Sequence, residues 1–310
     1  MMTDMTFESS ASPASSDTVF LFSYFAGNGE DGLRLAASAD GLVWTPLNQG
    51  KSFLAPTIGT KLMRDPCICY GPDGVFHMVW TSGWNDPGIG VAHSRDLVQW
   101  SEQEWLPLME AEPDALNCWA PEIFFDPVKE QYLIFWATTI PGRFPDTEDS
   151  GDVGKGGAFN HRMYFVTTRD FKTYSVPALF YDDGFNVIDA TLVQVGSRFA
   201  LVVKDETKIP VAKKNLRIAW ADQAEGPYGP ASDPISPKWV EGPSVLKIGE
   251  DWIMYYDEYT RHHYGAMRSS DFKHWEIITE SVQFAADSRH GSAFIAPRVI
   301  AERLPGFGGA

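Results

Sequence analysis

Cysteine is scarce in this chain, with three in 310 residues. Cys67 and Cys69 alternate within one run of β-type residues, so both face the same side and cannot bridge, and no disulfide framework is available. Basic residues are the minority: 25 Lys and Arg stand against 41 Asp and Glu, a formal net charge of −16. A phosphate backbone or an anionic lipid surface calls for a basic face, so the balance argues against nucleic acid and membrane as partners. It suits a neutral ligand such as a sugar. No apolar run approaches the roughly 20 residues a helix needs to cross a bilayer. The first 17 residues, rich in Ser, Ala and Thr, contain neither a basic nor an apolar segment and do not read as a secretory signal. The expectation is a disordered tail on a cytoplasmic protein. Long 3.6-residue periods are also missing, which leaves little room for helix.

Aromatic side chains are abundant, at 14% of the chain, and they mark a repeat. Segments 38–44, 94–100, 168–174 and 269–275 share a hydroxyl, one residue, an Asp, a short turn and then an aromatic. The fixed positions are Ser38, Asp40 and Trp44; Ser94, Asp96 and Trp100; Thr168, Asp170 and Tyr174; Ser269, Asp271 and Trp275. A weaker fifth copy surrounds Asp222 and ends at Tyr228. Asp and hydroxyl side chains of this kind bond turn amides, and the aromatic opens the next strand. Between the turns lie paired short runs of β-type residues: 75–80 with 89–93, 132–137 with 163–167, 199–203 with 216–220, and 252–256 with 264–267. Five such units predict an all-β, five-bladed β-propeller over residues 18–310, read as one domain; a β-sandwich is the simpler alternative. Runs 19–24, 33–37 and 44 onward lack an innermost strand, which 292–299 can supply. The two termini would then share one blade and close the ring.

Each innermost strand of a propeller starts on one face, beside the central channel. The candidate starts are Arg64-Asp65-Pro66, Trp119-Ala120-Pro121-Glu122, Val187-Ile188-Asp189-Ala190-Thr191, Glu241-Gly242-Pro243 and Arg289-His290-Gly291. Four carboxylates and a His would converge at one mouth, a costly arrangement that marks a functional candidate. These motifs resemble, in order and one per blade, those of glycoside hydrolase family 43, over about residues 19–297. The resemblance implies a five-bladed enzyme that hydrolyses arabinose- and xylose-containing glycans with inversion. It implies Asp65 as catalytic base, Asp189 as helper and Glu241 as general acid. Glu122 stands where the family often has Asp. His290 lies in the last-blade motif, which can border a metal or water site.

Inversion needs one carboxylate to deprotonate water and one carboxylic acid to protonate the leaving oxygen, with room for the water between them. Asp65 is expected ionised, with help from Arg64 if it points inward. Glu241 is expected protonated near neutral pH, its pKa raised by the neighbouring Asp189. Loops 82–88, 141–160, 205–215 and 257–263 should return to this face. Trp84 and Trp119 are candidate sugar platforms, and Arg64, Glu122 and His290 complete the substrate-binding set, with an oligosaccharide as partner. No cofactor is required; a structural Ca2+ or a water near His290 is the one such site the motif leaves open, because no Cys/His cluster has metal-type spacing. Two other functions compete. Fructan- or sucrose-cleaving five-bladed enzymes also use Arg-Asp-Pro, but their Asn-Asp-Pro nucleophile motif is matched here only by Asn85-Asp86-Pro87, in a loop. A non-catalytic glycan-binding propeller would have dispensable carboxylates.

Overall fold

Short β-branched and aromatic runs pair in antiparallel register into five sheets arranged as the blades of a β-propeller. The computed structural model describes residues 17–154 and 157–308; the tail expected over 1–17 lies, up to residue 16, outside the described residues. The innermost strands are Arg64–Tyr70, Trp119–Asp126, Val187–Val195, Glu241–Ile248 and Arg289–Pro297. In the last blade, Arg289–Pro297 pairs with Thr18–Phe25, which pairs with Arg34–Ser38. The termini therefore share a blade, as the sequence predicts. The closing strand starts three residues earlier than expected and ends at Pro297, where the chain turns into a short helix, Arg298–Ala301. Among the described residues no helix is long and apolar enough to cross a membrane.

Five apolar cores lie between adjacent blades, and each receives one aromatic of the sequence repeat. Trp100 packs against the core shared by the last and first blades, and Tyr174 against that of the first and second. Tyr228, Trp275 and Trp44 join the next three in turn. The Asp of the repeat builds the turn that delivers its aromatic. Asp96 Oδ1 accepts from the amides of Val98 and Gln99 at 2.9 and 2.7 Å, while Ser94 Oγ accepts from Leu97 N at 2.8 Å. Asp40, Asp170 and Asp271 repeat this geometry. The weak fifth copy falls in the third blade, the one sheet with three regular strands. Pro227, Pro230, Pro234 and Pro237 remove ladder donors there. An irregular segment takes the fourth strand's place, with Ser232 N and Ile235 N bonding to Ile218 O and Leu216 O.

Candidate active site

All five innermost strands begin at the motifs named from the sequence, and four of them begin with the same distortion. The pairing register shifts beside Asp65, Ala120, Asp189 and Gly242. These residues have φ of +51°, +45°, +48° and +56°. Left-handed backbone at a non-glycine residue costs on the order of 1–3 kcal/mol and persists where surrounding structure enforces it. The resulting bulges re-aim side chains at the strand starts. Gly242 is required for a further reason: a Cβ there would lie 2.4 Å from His290 Cδ2.

A cavity of about 240 Å³ opens at this mouth, lined by residues of all five innermost strands. Asp65, Asp189 and Glu241 are brought together in its wall, with Arg64, Trp84, Trp119 and His290. Trp84, Glu206 and Tyr259 reach it from loops 82–88, 205–215 and 257–263, so those loops do return to this face. The 141–160 loop abuts it: Phe159 packs on Trp119 with ring centroids 4.8 Å apart. Glu122 is not among the lining residues. It is buried in the channel, where Ser292 Oγ donates to its Oε1 at 3.3 Å, and burial pushes its carboxyl up to about 8.

Asp65 accepts from Thr81 Oγ1 at 2.7 Å and lies 3.3 Å from His290 Nδ1. The same Thr81 hydroxyl accepts from Ala120 N at 2.8 Å, which fixes it. Arg64 does not pair with Asp65, contrary to its expected helping role. Its guanidinium lies 4.7 and 4.3 Å from the ring centroids of Phe25 and Trp84, and Nη1 donates to Asn28 Oδ1 at 3.1 Å. Trp84 remains 44% exposed, enough to leave ring surface for a ligand, and its Nε1 also bonds Asn28. Trp119 is anchored through Nε1 to Trp84 O at 2.9 Å.

The protonation order differs from the sequence expectation. Burial would raise Glu241, but Lys204 Nζ at 3.3 Å, the charge of His290 and Arg289 Nη2 at 3.2 Å outweigh it and hold the carboxyl below its usual range. Asp189 instead is pushed up to about 6, by burial first and by the charges of Glu241 and Asp65, against the pull of His290 and Lys204. Burial opposes protonation of His290, yet Asp65, Asp189, Glu241 and Glu122 around it raise its pKa overall. Asp257 stabilises the fifth-blade motif, accepting from Arg289 Nε at 2.9 Å and from His290 N at 3.2 Å.

Lys204, Thr81, Glu206 and Tyr259 escaped the sequence reading. Thr81 is the last residue and Lys204 the last but one of second strands, opposite Arg64 and Ile188 of the innermost ones. Antiparallel pairing alone would have placed them, and a Lys closing the apolar run 199–203 was the available signal. Among the described residues no three His, Cys, Asp or Glu converge as a metal site, and the His290 Nδ1 faces Asp65. Asp86 of the Asn-Asp-Pro loop accepts from Ser82 Oγ at 2.8 Å and Thr60 N at 3.2 Å, and it does not line the cavity.

The five blades thus bring carboxylates of three innermost strands to one channel mouth, the arrangement that the family resemblance implies. Residues 17–297 match the family model described as a probable glycosyl hydrolase domain, related to glycoside hydrolase family 43, and the chain belongs to that family. It is 21% identical over 239 residues to an alpha-L-arabinofuranosidase of Bifidobacterium longum subsp. longum, covering 66% of this chain and 22% of that protein. The chain thus spans about a fifth of that curated relative. Among solved structures, a thermostable family-43 glycoside hydrolase superposes with TM-score 0.53 at 15% identity, covering 69% of this chain and 71% of the other. An exo-beta-1,3-galactanase from Clostridium thermocellum gives TM-score 0.53 at 11% identity, over 72% and 50% of the two chains. Likeness at that identity establishes the fold.

Proposed function

We propose that this protein is an inverting glycosidase that removes arabinofuranosyl, xylosyl or galactosyl units from oligosaccharides. The observation that carries the proposal is the convergence of Asp65, Asp189 and Glu241, each from a different innermost strand, on one cavity with an exposed Trp84 at its rim. Asp65 takes a proton from water as the oxygen attacks the anomeric carbon. The glycosidic C–O bond breaks, and Glu241 gives its proton to the leaving oxygen. Thr81 and His290 fix the Asp65 carboxylate, so it does not reorganise during the step. Asp189 and Glu241 share Lys204 and titrate as a unit, so a proton held by the pair is available to Glu241. The acid form is lost as pH rises through the pair's pKa, so activity should decline above about pH 6, where Asp189 titrates.

The test is turnover of 4-nitrophenyl α-L-arabinofuranoside, β-D-xyloside and β-D-galactoside and of matching oligosaccharides, with Glu241→Gln as control. Turnover that vanishes in the control is expected and names the sugar. Glycan binding by wild type and control alike, with no hydrolysis, would overturn the proposal in favour of a binding propeller.

A further inference from the structure

We infer that Lys204 is a positioning residue that sets the alkaline pH limit of this site, through simultaneous ion contact with Asp189 and Glu241. The inference rests on the glycosidase reading above. Lys204 is the last residue but one of the second strand of the third blade and is 3% exposed. Its Nζ lies 2.7 Å from Glu206, 3.3 Å from Glu241 and 3.8 Å from Asp189. The ring centroid of Tyr259 is 5.1 Å away. Three carboxylates and an aromatic face therefore enclose one ammonium.

The charge of His290 also acts on both carboxylates, but among the described residues no other cation makes ion contact with both. Arg289 bonds Glu241 and Asp257, and His290 pairs directly with Asp65. Only Lys204, among the described residues, ion-pairs with both Asp189 and Glu241. Its place is enforced from behind. Glu206, which holds it most closely, is itself ion-paired to the buried Lys214, and Lys214 Nζ lies 2.8 Å from Asp152 in the 141–160 loop. Lys208 closes the chain on the same Asp152. A line of alternating charge thus runs from Glu241 through Lys204, Glu206 and Lys214 to the loop. Burial would neutralise an isolated Lys, but Glu206, Glu241 and Asp189 together hold Lys204 charged. A fixed positive charge within 4 Å of two carboxylates favours their ionised forms and sets the pH at which either one holds a proton.

The experiment is kcat/KM against pH for wild type, Lys204→Met, Lys204→Arg and Glu206→Gln, on whichever glycoside the wild type hydrolyses. Removing the cation should move the alkaline limb of the profile, set by Asp189 and Glu241, to higher pH by about one unit, with the acid limb set by Asp65 unmoved. Glu206→Gln removes an anion and should move the alkaline limb the other way. Lys204→Arg keeps the charge and should restore the wild-type profile. Profiles of folded Lys204→Met and Glu206→Gln that coincide with wild type would overturn the inference while leaving the glycosidase reading intact. Should Lys204→Met fail to fold, the direction of the Glu206→Gln shift decides. A wild type inactive on every glycoside would overturn both readings together.

Discussion

Two rings of aspartates in this molecule are put to opposite uses. The outer ring, Asp40, Asp96, Asp170 and Asp271, sits in the repeat turns, and each carboxylate is satisfied by amides two and three residues ahead of it. The inner ring, Asp65 and Asp189 with Glu241, sits at the channel mouth and finds its partners on other strands and other blades. For Asp271 the His274 and Lys273 amides pull the carboxyl well below its usual range, whereas burial pushes Asp189 up. Local partners make an aspartate a structural brace. Distant, competing partners at a buried site leave it poised to exchange a proton, at a cost in stability.

The comparison breaks most visibly if inner-ring substitutions spare activity. Asp65→Asn and Glu241→Gln should each lower kcat/KM by about 10²–10⁴-fold, with circular dichroism unchanged. Next in size is the packing that the outer turns deliver. Trp44 is buried between the fourth and fifth blades, 5.6 Å from the rings of both Tyr255 and Phe284. Trp44→Ala should cost about 3–5 kcal/mol in denaturant unfolding while leaving the chemistry of the folded fraction intact. Smaller still is the turn itself: Asp96→Ala should cost about 1 kcal/mol, because its amides regain water.

The two rings also differ in the sign of their pH dependence. Asp96 has a depressed carboxyl: burial opposes the shift, but the Gln99 and Val98 amides outweigh it. Its stabilisation is present above the unfolded pKa near 3.9 and is lost as pH falls through the lower folded value. Asp189 behaves in reverse. Its folded pKa is raised to about 6, so ionising it costs stability as pH rises from about 4 towards 6. Stability curves for Asp96→Asn and Asp189→Asn against pH should therefore diverge from wild type in opposite directions, and parallel curves would sink the distinction.

The rings were unequally legible in the sequence. Outer turns are local, so Asp40, Asp96, Asp170 and Asp271 announce themselves within seven residues, and the aromatic that follows each already marks a core. Asp65, Asp189 and Glu241 were legible because each opens an innermost strand, a position the repeat fixes. Their partners were not. Lys204 meets Glu241 across 37 residues and a blade boundary, and no spacing rule reports such a contact. The protonation order failed for the same reason: reading Asp189 as the only strong neighbour of Glu241 left out Lys204 and Arg289, and those cations reverse it. Arg64 likewise stands next to Asp65 in the chain yet turns to Asn28, Phe25 and Trp84, because the bulge at Asp65 separates the two side chains.

One paired measurement tests the account most directly: thermal unfolding and glycosidase turnover at pH 7 for Asp189→Asn beside Asp96→Asn. The prediction is a crossing, in which Asp189→Asn loses turnover with its Tm unchanged or raised, and Asp96→Asn keeps turnover with its Tm lowered. Full turnover in Asp189→Asn, or a stability loss there that matches or exceeds that of Asp96→Asn, would contradict it.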